Sequence, residues 1–184
     1  MVTFGETVHT TNLLGIHDRI RGSWYVCPVK GTARSISAYL QLDNTLELNT
    51  TEFKYKYAIY NYNGAGDAGA FVGSTKEGAV KVRSGTSITG WFSLDFVAPF
   101  KDLSANTNYF LVAFGYRNTA NARFKIDQNA LFPQAGKGVN LSTLYSGGFP
   151  DPLTGETSTT APHTIVCTVR QDTRPGFNYV CWTP

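Results

Sequence analysis

The sequence KYKYAIYNYNGAGDAGAFV, residues Lys54–Val72, decides the fold. Tyrosine and isoleucine favour extended backbone, because their side chains pack well on a pleated surface. The aromatic run ends at NGAGDAG, where glycines supply the positive φ angles of a tight reversal and Asn63 and Asp67 tolerate them. The stretch therefore predicts a strand, a turn and a second strand that ends near Thr75.

Alternation along the first of these strands assigns its two faces, because successive side chains of a strand point in opposite directions. The residues predicted to face the core are Phe53, Tyr55, Tyr57 and Ile59. Tyr60 and Tyr62 then remain as the tyrosines of this strand that face outward.

Short extended segments recur along the whole chain, separated by turns rich in Gly, Pro, Ser and Thr. Asn108–Tyr116 is apolar on both faces, which predicts a central strand. The pattern predicts a single all-β domain, residues 1–184, folded as an antiparallel two-sheet sandwich of jelly-roll type. Residues 1–19 are expected to be a lead-in with one strand around Val2–Glu6, and residues 163–184 a C-terminal hairpin. The other predicted strands are Ile20–Pro28, Ala33–Asp43, Ala79–Val82, Gly90–Val97, Arg123–Asp127 and Val139–Ser146.

The three cysteines bear on the C-terminal hairpin. Its two strands, Thr164–Gln171 and Phe177–Trp182, flank the turn signal DTRPG, and a hairpin centred there places Cys167 opposite Cys181. Such a cross-strand pair brings the Cβ atoms near disulfide distance. The alternative is that both cysteines are buried free thiols. The redox compartment decides whether the disulfide forms. Cys27 is a further alternative partner if the first and last strands are neighbours.

Composition excludes several classes of protein. The chain has 42% hydrophobic and 16% charged residues, which is typical of a globular domain. Its net charge of +3 comes from dispersed Lys and Arg, whereas nucleic-acid binding needs a concentrated basic face. No apolar run approaches the roughly 20 residues that span a bilayer, so no membrane partner is expected. Residues 1–20 also lack the basic start and apolar core of a signal peptide.

Six segments, in this order and spacing, carry a family resemblance. They are SISAYL (35–40), YAIY (57–60), NGAGDAG (63–69), GWFSL (90–94), LSANTNYFLV (103–112) and YSGGFPDPL (145–153). Over residues 20–171 the chain resembles β-sandwich accessory domains of secreted or surface proteins of bacteria and archaea, similar to carbohydrate-binding modules. The resemblance implies a jelly-roll fold, an extracellular or cell-surface location and glycan binding without catalysis. It also implies a catalytic domain in the same parent chain. The Thr-rich segment 44–51 and the cysteine hairpin depart from the pattern.

Glycan recognition has a clear residue chemistry. An aromatic ring covers the apolar face of a sugar, and polar side chains bond its hydroxyl groups. Trp91 is the leading candidate, because the alternate residues of its strand belong to the core and leave Trp91 facing outward. The other candidate contacts are Asp95, Tyr60, Tyr62, Trp24 and Tyr39.

Metal binding and catalysis receive less support from the residues. Jelly-roll domains often hold a structural Ca²⁺ through carboxylates, for which Asp67 and Asp43 are the candidates, but there is no contiguous calcium loop. No cofactor is required. The histidines His9, His17 and His163 are scattered, and no nucleophile or metalloprotease motif is present. We therefore expect a protein that is not an enzyme.

These observations predict a non-catalytic carbohydrate-binding module whose partner is a polysaccharide. The alternative from a different class is a structural subunit of a surface layer, filament or phage tail, with the sandwich used for protein–protein contacts. The missing signal peptide and the aromatic residues on both faces of several strands are compatible with that alternative.

Overall fold

The computed structural model describes residues 1–62, 68–129, 138–153 and 161–171. Strands dominate these ranges, together with one turn of 3-10 helix, Tyr145–Gly147. The strands are β1 (Val2–Gly5), β2 (Asn12–Gly15), β3 (Arg19–Cys27), β4 (Gly31–Asp43), β5 (Thr51–Tyr62), β6 (Ala68–Ser74), β7 (Gly78–Val82), β8 (Ser87–Asp95), β9 (Asp102–Leu103), β10 (Thr107–Arg117), β11 (Arg123–Gln128), β12 (Gly138–Ser142) and β13 (Ile165–Gln171). No helix in the described ranges is long and apolar enough to cross a bilayer.

The strands form two antiparallel sheets. Sheet 1 has the order β1-β13-β4-β11-β2, in which β13 and β11 pair with different parts of one edge of β4. β8 and β9 pair with the other edge of β4. Sheet 2 has the order β12-β3-β10-β5-β6, and β7 also pairs with β5. The prediction of an all-β, two-sheet sandwich is confirmed.

The main core lies between the sheets. The inward residues predicted for β5 are all buried there, with exposed fractions of 0–6%, as are Ile36, Ala38, Leu40 and Leu42 of β4. β10 is buried on both faces, which confirms its prediction as a central strand. Tyr109, Leu111 and Ala113 of β10 contribute to the main core.

A second core lies on the outer face of sheet 2, under residues 145–153. Its buried members are Ile20, Ala58, Tyr60, Phe110, Val112, Phe114, Tyr145 and Leu153. Tyr60 is fully buried, and its hydroxyl donates a hydrogen bond to the carbonyl oxygen of Pro150 at 2.7 Å. The prediction that Tyr60 faces outward to a ligand is therefore wrong, because the chain itself covers that face of the sheet.

The two ends of the described chain also differ from prediction. The lead-in contains two strands, because β2 pairs with β11 in addition to the predicted β1. β13 lies between β1 and β4, and Cys167 is paired with Phe4 on one side and Ile36 on the other. Both edges of the strand are taken there, so the predicted hairpin pairing of Cys167 with Cys181 is wrong. Cys181 itself lies outside the described residues.

Cys27 and Cys167 are buried free thiols. We expect both to resist alkylation in the folded protein, because burial raises the pKa of each thiol and the thiolate is the reactive form. The measurement is mass spectrometry of a Cys181→Ser variant treated with iodoacetamide at about pH 8, near the usual thiol pKa. The folded protein should remain unlabelled, and the urea-unfolded protein should carry a label on both cysteines. Fast labelling of either residue without denaturant would contradict the prediction.

Candidate functional site

Three aromatic side chains meet on the outer face of sheet 1. Tyr39 of β4 and Trp91 of β8 are directly paired, with ring centroids 5.8 Å apart and an interplanar angle of 81°. His9 stacks on Tyr39 at 4.2 Å, with the two rings 2° from parallel. Trp91 is 41% exposed. We call His9, Tyr39 and Trp91 the aromatic platform.

His9 is held on the platform by the residues on either side of it. The Thr10 backbone N–H donates to Asp127 Oδ2 at 3.0 Å, and the Thr10 hydroxyl donates to the Gln128 carbonyl oxygen at 2.8 Å. The Val8 carbonyl oxygen accepts a hydrogen bond from the Thr164 hydroxyl at 3.2 Å. These bonds fix the loop between β1 and β2 against β11 and the residue before β13, so sheet 1 positions the imidazole ring.

Polar side chains surround the platform on the same face. Ser37 and Ser93, the next outward pair on β4 and β8, share a hydrogen bond of 2.6 Å between their hydroxyl oxygens. On the other side of Tyr39, Gln41 places its Oε1 in a buried position without a hydrogen-bond donor. A buried acceptor that lacks a partner favours a ligand that brings a donor, such as a sugar hydroxyl. The face therefore combines exposed aromatic rings with small hydroxyl and amide groups.

Asp95 is exposed on this same face, opposite Ser35. It lies four residues along β8 from Trp91, which is about 13 Å at the rise of an extended strand. The structure thus places Asp95 at the far end of the face, where it lines a cavity with Phe100 and Arg34. It does not lie beside the Trp91 ring.

The remaining predicted aromatic residues lie on the opposite side of the sandwich. Trp24 and Tyr62 are half-buried, with ring centroids 5.1 Å apart, and both pack against the second core. Tyr62 also contacts Phe110 at 6.0 Å. The sheet sandwich separates this pair from Trp91 and Tyr39, so the six predicted contacts do not form one site.

A cleft of about 570 Å³ opens beside the second core. Its aromatic lining is Tyr116 and Tyr145, whose ring centroids are 5.7 Å apart. Lys56 Nζ lies 4.3 Å from the centre of the Tyr145 ring, and burial lowers the pKa of this lysine although Glu77 opposes the effect. Lys54 and Glu77 form an ion pair of 3.4 Å in the same lining. The sequence pattern does not reveal this cleft, because the cleft forms only where residues 144–146 fold back onto β5.

The two predicted calcium ligands do not come together as a described site. Asp43 Oδ1 accepts hydrogen bonds from the Thr45 backbone N–H and hydroxyl, at 3.0 and 2.6 Å. Burial alone would raise the pKa of Asp43, but these bonds and the nearby Arg123 and Lys125 lower it. Asp67 lies outside the described residues. Within the described ranges, no three His, Cys, Asp or Glu residues are grouped to hold a metal ion.

The functional assignment rests on the chemistry of these surfaces. No family model matches the chain, and no curated protein matches it.

Proposed function

We propose that the protein is a non-catalytic polysaccharide-binding module that uses the outer face of sheet 1. The observation that carries the proposal is the exposed Trp91 ring, which is held edge-to-face on Tyr39 and surrounded by hydroxyl and amide groups. Exposed aromatic area on a sheet face has no structural task in the core, and it matches the apolar face of a sugar ring. We further propose that the sandwich is of the jelly-roll type and serves as an extracellular accessory domain.

The platform has the two elements that sugar recognition needs. Trp91 offers ring surface for C–H contacts, and Gln41 and the Ser37–Ser93 pair offer hydrogen-bonding groups for the sugar hydroxyls. His9 covers one face of the Tyr39 ring. Tyr39 therefore supports the platform by packing against both other rings, and Trp91 is the principal stacking residue.

The test is affinity gel electrophoresis of the folded protein in gels that contain single polysaccharides. We expect at least one polysaccharide to retard the wild type, and Trp91→Ala to weaken the interaction about tenfold, equivalent to about 1.4 kcal/mol. Phe100→Ala is the matched control, because Phe100 is 43% exposed and lies away from the platform. It should leave the retardation unchanged.

Two further outcomes would contradict the proposal. If Tyr116→Ala removes retardation and Trp91→Ala does not, the cleft beside the second core is the glycan site. If no polysaccharide retards the wild type and size-exclusion chromatography shows an ordered assembly, the structural-subunit interpretation is supported.

A further inference from the structure

Five cationic side chains that are scattered in the sequence converge in the fold. Arg19 and Arg21 come from β3, Arg117 from the end of β10, and Arg123 and Lys125 from β11. Together with Gly15, His17 and Phe124 they line a cavity of about 350 Å³. We call this cavity the basic pocket. Its residues span more than a hundred positions, which is why the sequence shows no basic run.

Carboxylates act on these cations only without close ion pairs: Asp18 and Glu47 favour the charge of Arg117, and Asp43 lies near Arg123 and Lys125. Within the described part of the chain, none of the five forms an ion pair within 4 Å. These acids also have other partners: Asp18 accepts from the Tyr145 backbone N–H at 3.0 Å, and Glu47 accepts from the Asn121 backbone N–H at 2.8 Å. Asp43, which is paired with Arg123 across the strands, accepts two hydrogen bonds from Thr45. Like charges gathered in one cavity repel each other and destabilise the compact state. Such an arrangement is costly unless a ligand of opposite charge occupies it.

Arg117 is the cation in the pocket that most directly lacks a hydrogen-bond acceptor. Its Nε–H is buried and has no hydrogen-bond acceptor in the structure. Its backbone N–H is bonded to His17 Nδ1 at 3.3 Å, so that imidazole nitrogen is an acceptor and carries no proton. Burial lowers the pKa of His17, which keeps the ring neutral near pH 7. A buried guanidinium N–H without an acceptor is matched by a carboxylate or sulfate oxygen.

Arg21 is the anchored member of the group. It is only 8% exposed, and its Nε donates to the Gly15 carbonyl oxygen at 2.7 Å. This bond and the burial of the side chain hold the guanidinium in place. Part of the pocket is therefore ordered before any ligand arrives, which reduces the entropy that binding would cost.

The pocket is connected to the aromatic platform across sheet 1. Lys125 is directly paired with Gln41, so the two side chains share the outer face. Gln41 lies two residues from Tyr39 on β4, and Tyr39 is paired with Trp91 on β8. From β8 to β11 is two strand spacings, about 10 Å. A glycan chain lying on the platform can thus extend into the basic pocket.

We infer that the basic pocket binds the anionic group of an acidic polysaccharide, a uronate carboxylate or a sulfate ester, next to the sugar that stacks on Trp91. This inference rests on the proposed function for the identity of the polymer. A volume of about 350 Å³ suits one charged sugar residue, whereas a nucleic acid needs a basic tract along its backbone.

The experiment compares a uronate polymer, polygalacturonate, a sulfated polymer, chondroitin sulfate, and a neutral polymer, xyloglucan, in the same affinity gels. We expect stronger retardation by an acidic polymer than by xyloglucan, and a loss of that difference as NaCl is raised. Arg117→Gln and Lys125→Gln should each weaken binding of the acidic polymer about tenfold. Arg83→Gln is the control, because it removes the same charge from an exposed site outside the pocket, and it should change binding less than about twofold.

Thermal unfolding separates a binding role from a structural one. Burial disfavours the charge of Arg117 more than Glu47 and Asp18 favour it, so Arg117→Gln should keep or raise the melting temperature while weakening binding. A marked drop in melting temperature together with unchanged binding would overturn the inference.

Other outcomes distinguish the two proposals. If Arg117→Gln binds polygalacturonate and chondroitin sulfate as well as the wild type does, the basic pocket is excluded even when Trp91→Ala shows that the platform binds glycan. If Arg117→Gln loses the acidic polymer and Trp91→Ala keeps it, the pocket stands and the platform fails. Tighter binding of single-stranded oligothymidylate than of either acidic polymer would overturn the assignment to a glycan.

Discussion

Tyr57→Ala is expected to lower the free energy of unfolding by about 3–5 kcal/mol, the range for removing a large buried aromatic side chain. Tyr57 lies in the middle of β5 in sheet 2, and its side chain is fully buried in the main core. Its hydroxyl crosses to sheet 1 and donates a hydrogen bond to the Phe92 carbonyl oxygen on β8 at 2.8 Å. The substitution therefore leaves a cavity between the sheets and removes the hydrogen bond that joins them.

Tyr57→Phe separates these two contributions. It keeps the ring and removes only the hydroxyl, so we expect a loss of about 0.5–1.5 kcal/mol, the net contribution of one hydrogen bond. Both variants are compared with the wild type by urea denaturation followed by circular dichroism. A loss below about 1 kcal/mol for Tyr57→Ala would show that the ring is not a central contact between the sheets.

The alternation of side chains was sufficient to predict much of this core. Phe53 to Ile59 on β5 and Ile36 to Leu42 on β4 bury the predicted alternate residues. Phe92 and Leu94 of β8 and Phe96 directly after it pack towards the main core, and Trp91 is exposed. This succeeds because a strand with one buried face must place its apolar residues at every second position, so a wrong register would expose the whole set.

Alternation failed where a distant segment covers a sheet. Tyr60 lies on the same strand as Tyr57, but residues 145–153 cover the outer face of sheet 2 and bury the Tyr60 side chain. That segment contains a single 3-10 turn, and its sequence has no hydrophobic periodicity that would predict an amphipathic element. Nothing in the local pattern of β5 distinguishes an outward tyrosine in solvent from one under a covering loop.

The candidate sites show the same division. Trp91 and Tyr39 were predicted to face outward and do so as a direct cross-strand pair. His9 lies in the segment predicted as a lead-in, and only the long-range bonds of its neighbours Thr10 and Val8 bring it onto Tyr39. The basic pocket was missed for a similar reason: strand order, which sequence spacing does not reveal, decides which cations are neighbours.

His163 is a second residue whose environment depends on such long-range contacts. It is fully buried, and its backbone N–H donates to the Ser23 hydroxyl oxygen at 2.9 Å. The same oxygen lies 3.0 Å from His163 Nδ1, and the Tyr25 hydroxyl donates to the His163 carbonyl oxygen. The Ser23 hydroxyl therefore links the His163 backbone N–H to Nδ1, and burial lowers the pKa of the ring. The imidazole is thus a neutral part of the bonding that holds residues 161–164 against β3.

Acidification is therefore expected to destabilise the fold through His163. Burial, reinforced by the positive charge of Arg21, lowers the pKa of His163 from 6.5 to about 3. Between these two values the unfolded chain binds a proton that the folded protein does not. The free energy of unfolding should then fall by about 1.4 kcal/mol for each pH unit below about 6.5, and this contribution should be constant at higher pH.

The measurement is urea denaturation of the wild type and His163→Asn at several pH values between about 4 and 8, a range that spans the histidine pKa of the unfolded chain. Asparagine keeps a hydrogen-bonding group near the position of Nδ1 but does not titrate, so it removes the histidine contribution and leaves that of the carboxylates. The wild type should lose about 2–3 kcal/mol more than the variant between about pH 6.5 and 4.5. Parallel pH profiles would mean that His163 accepts a proton without unfolding, and that the residues around it open to water in the native state.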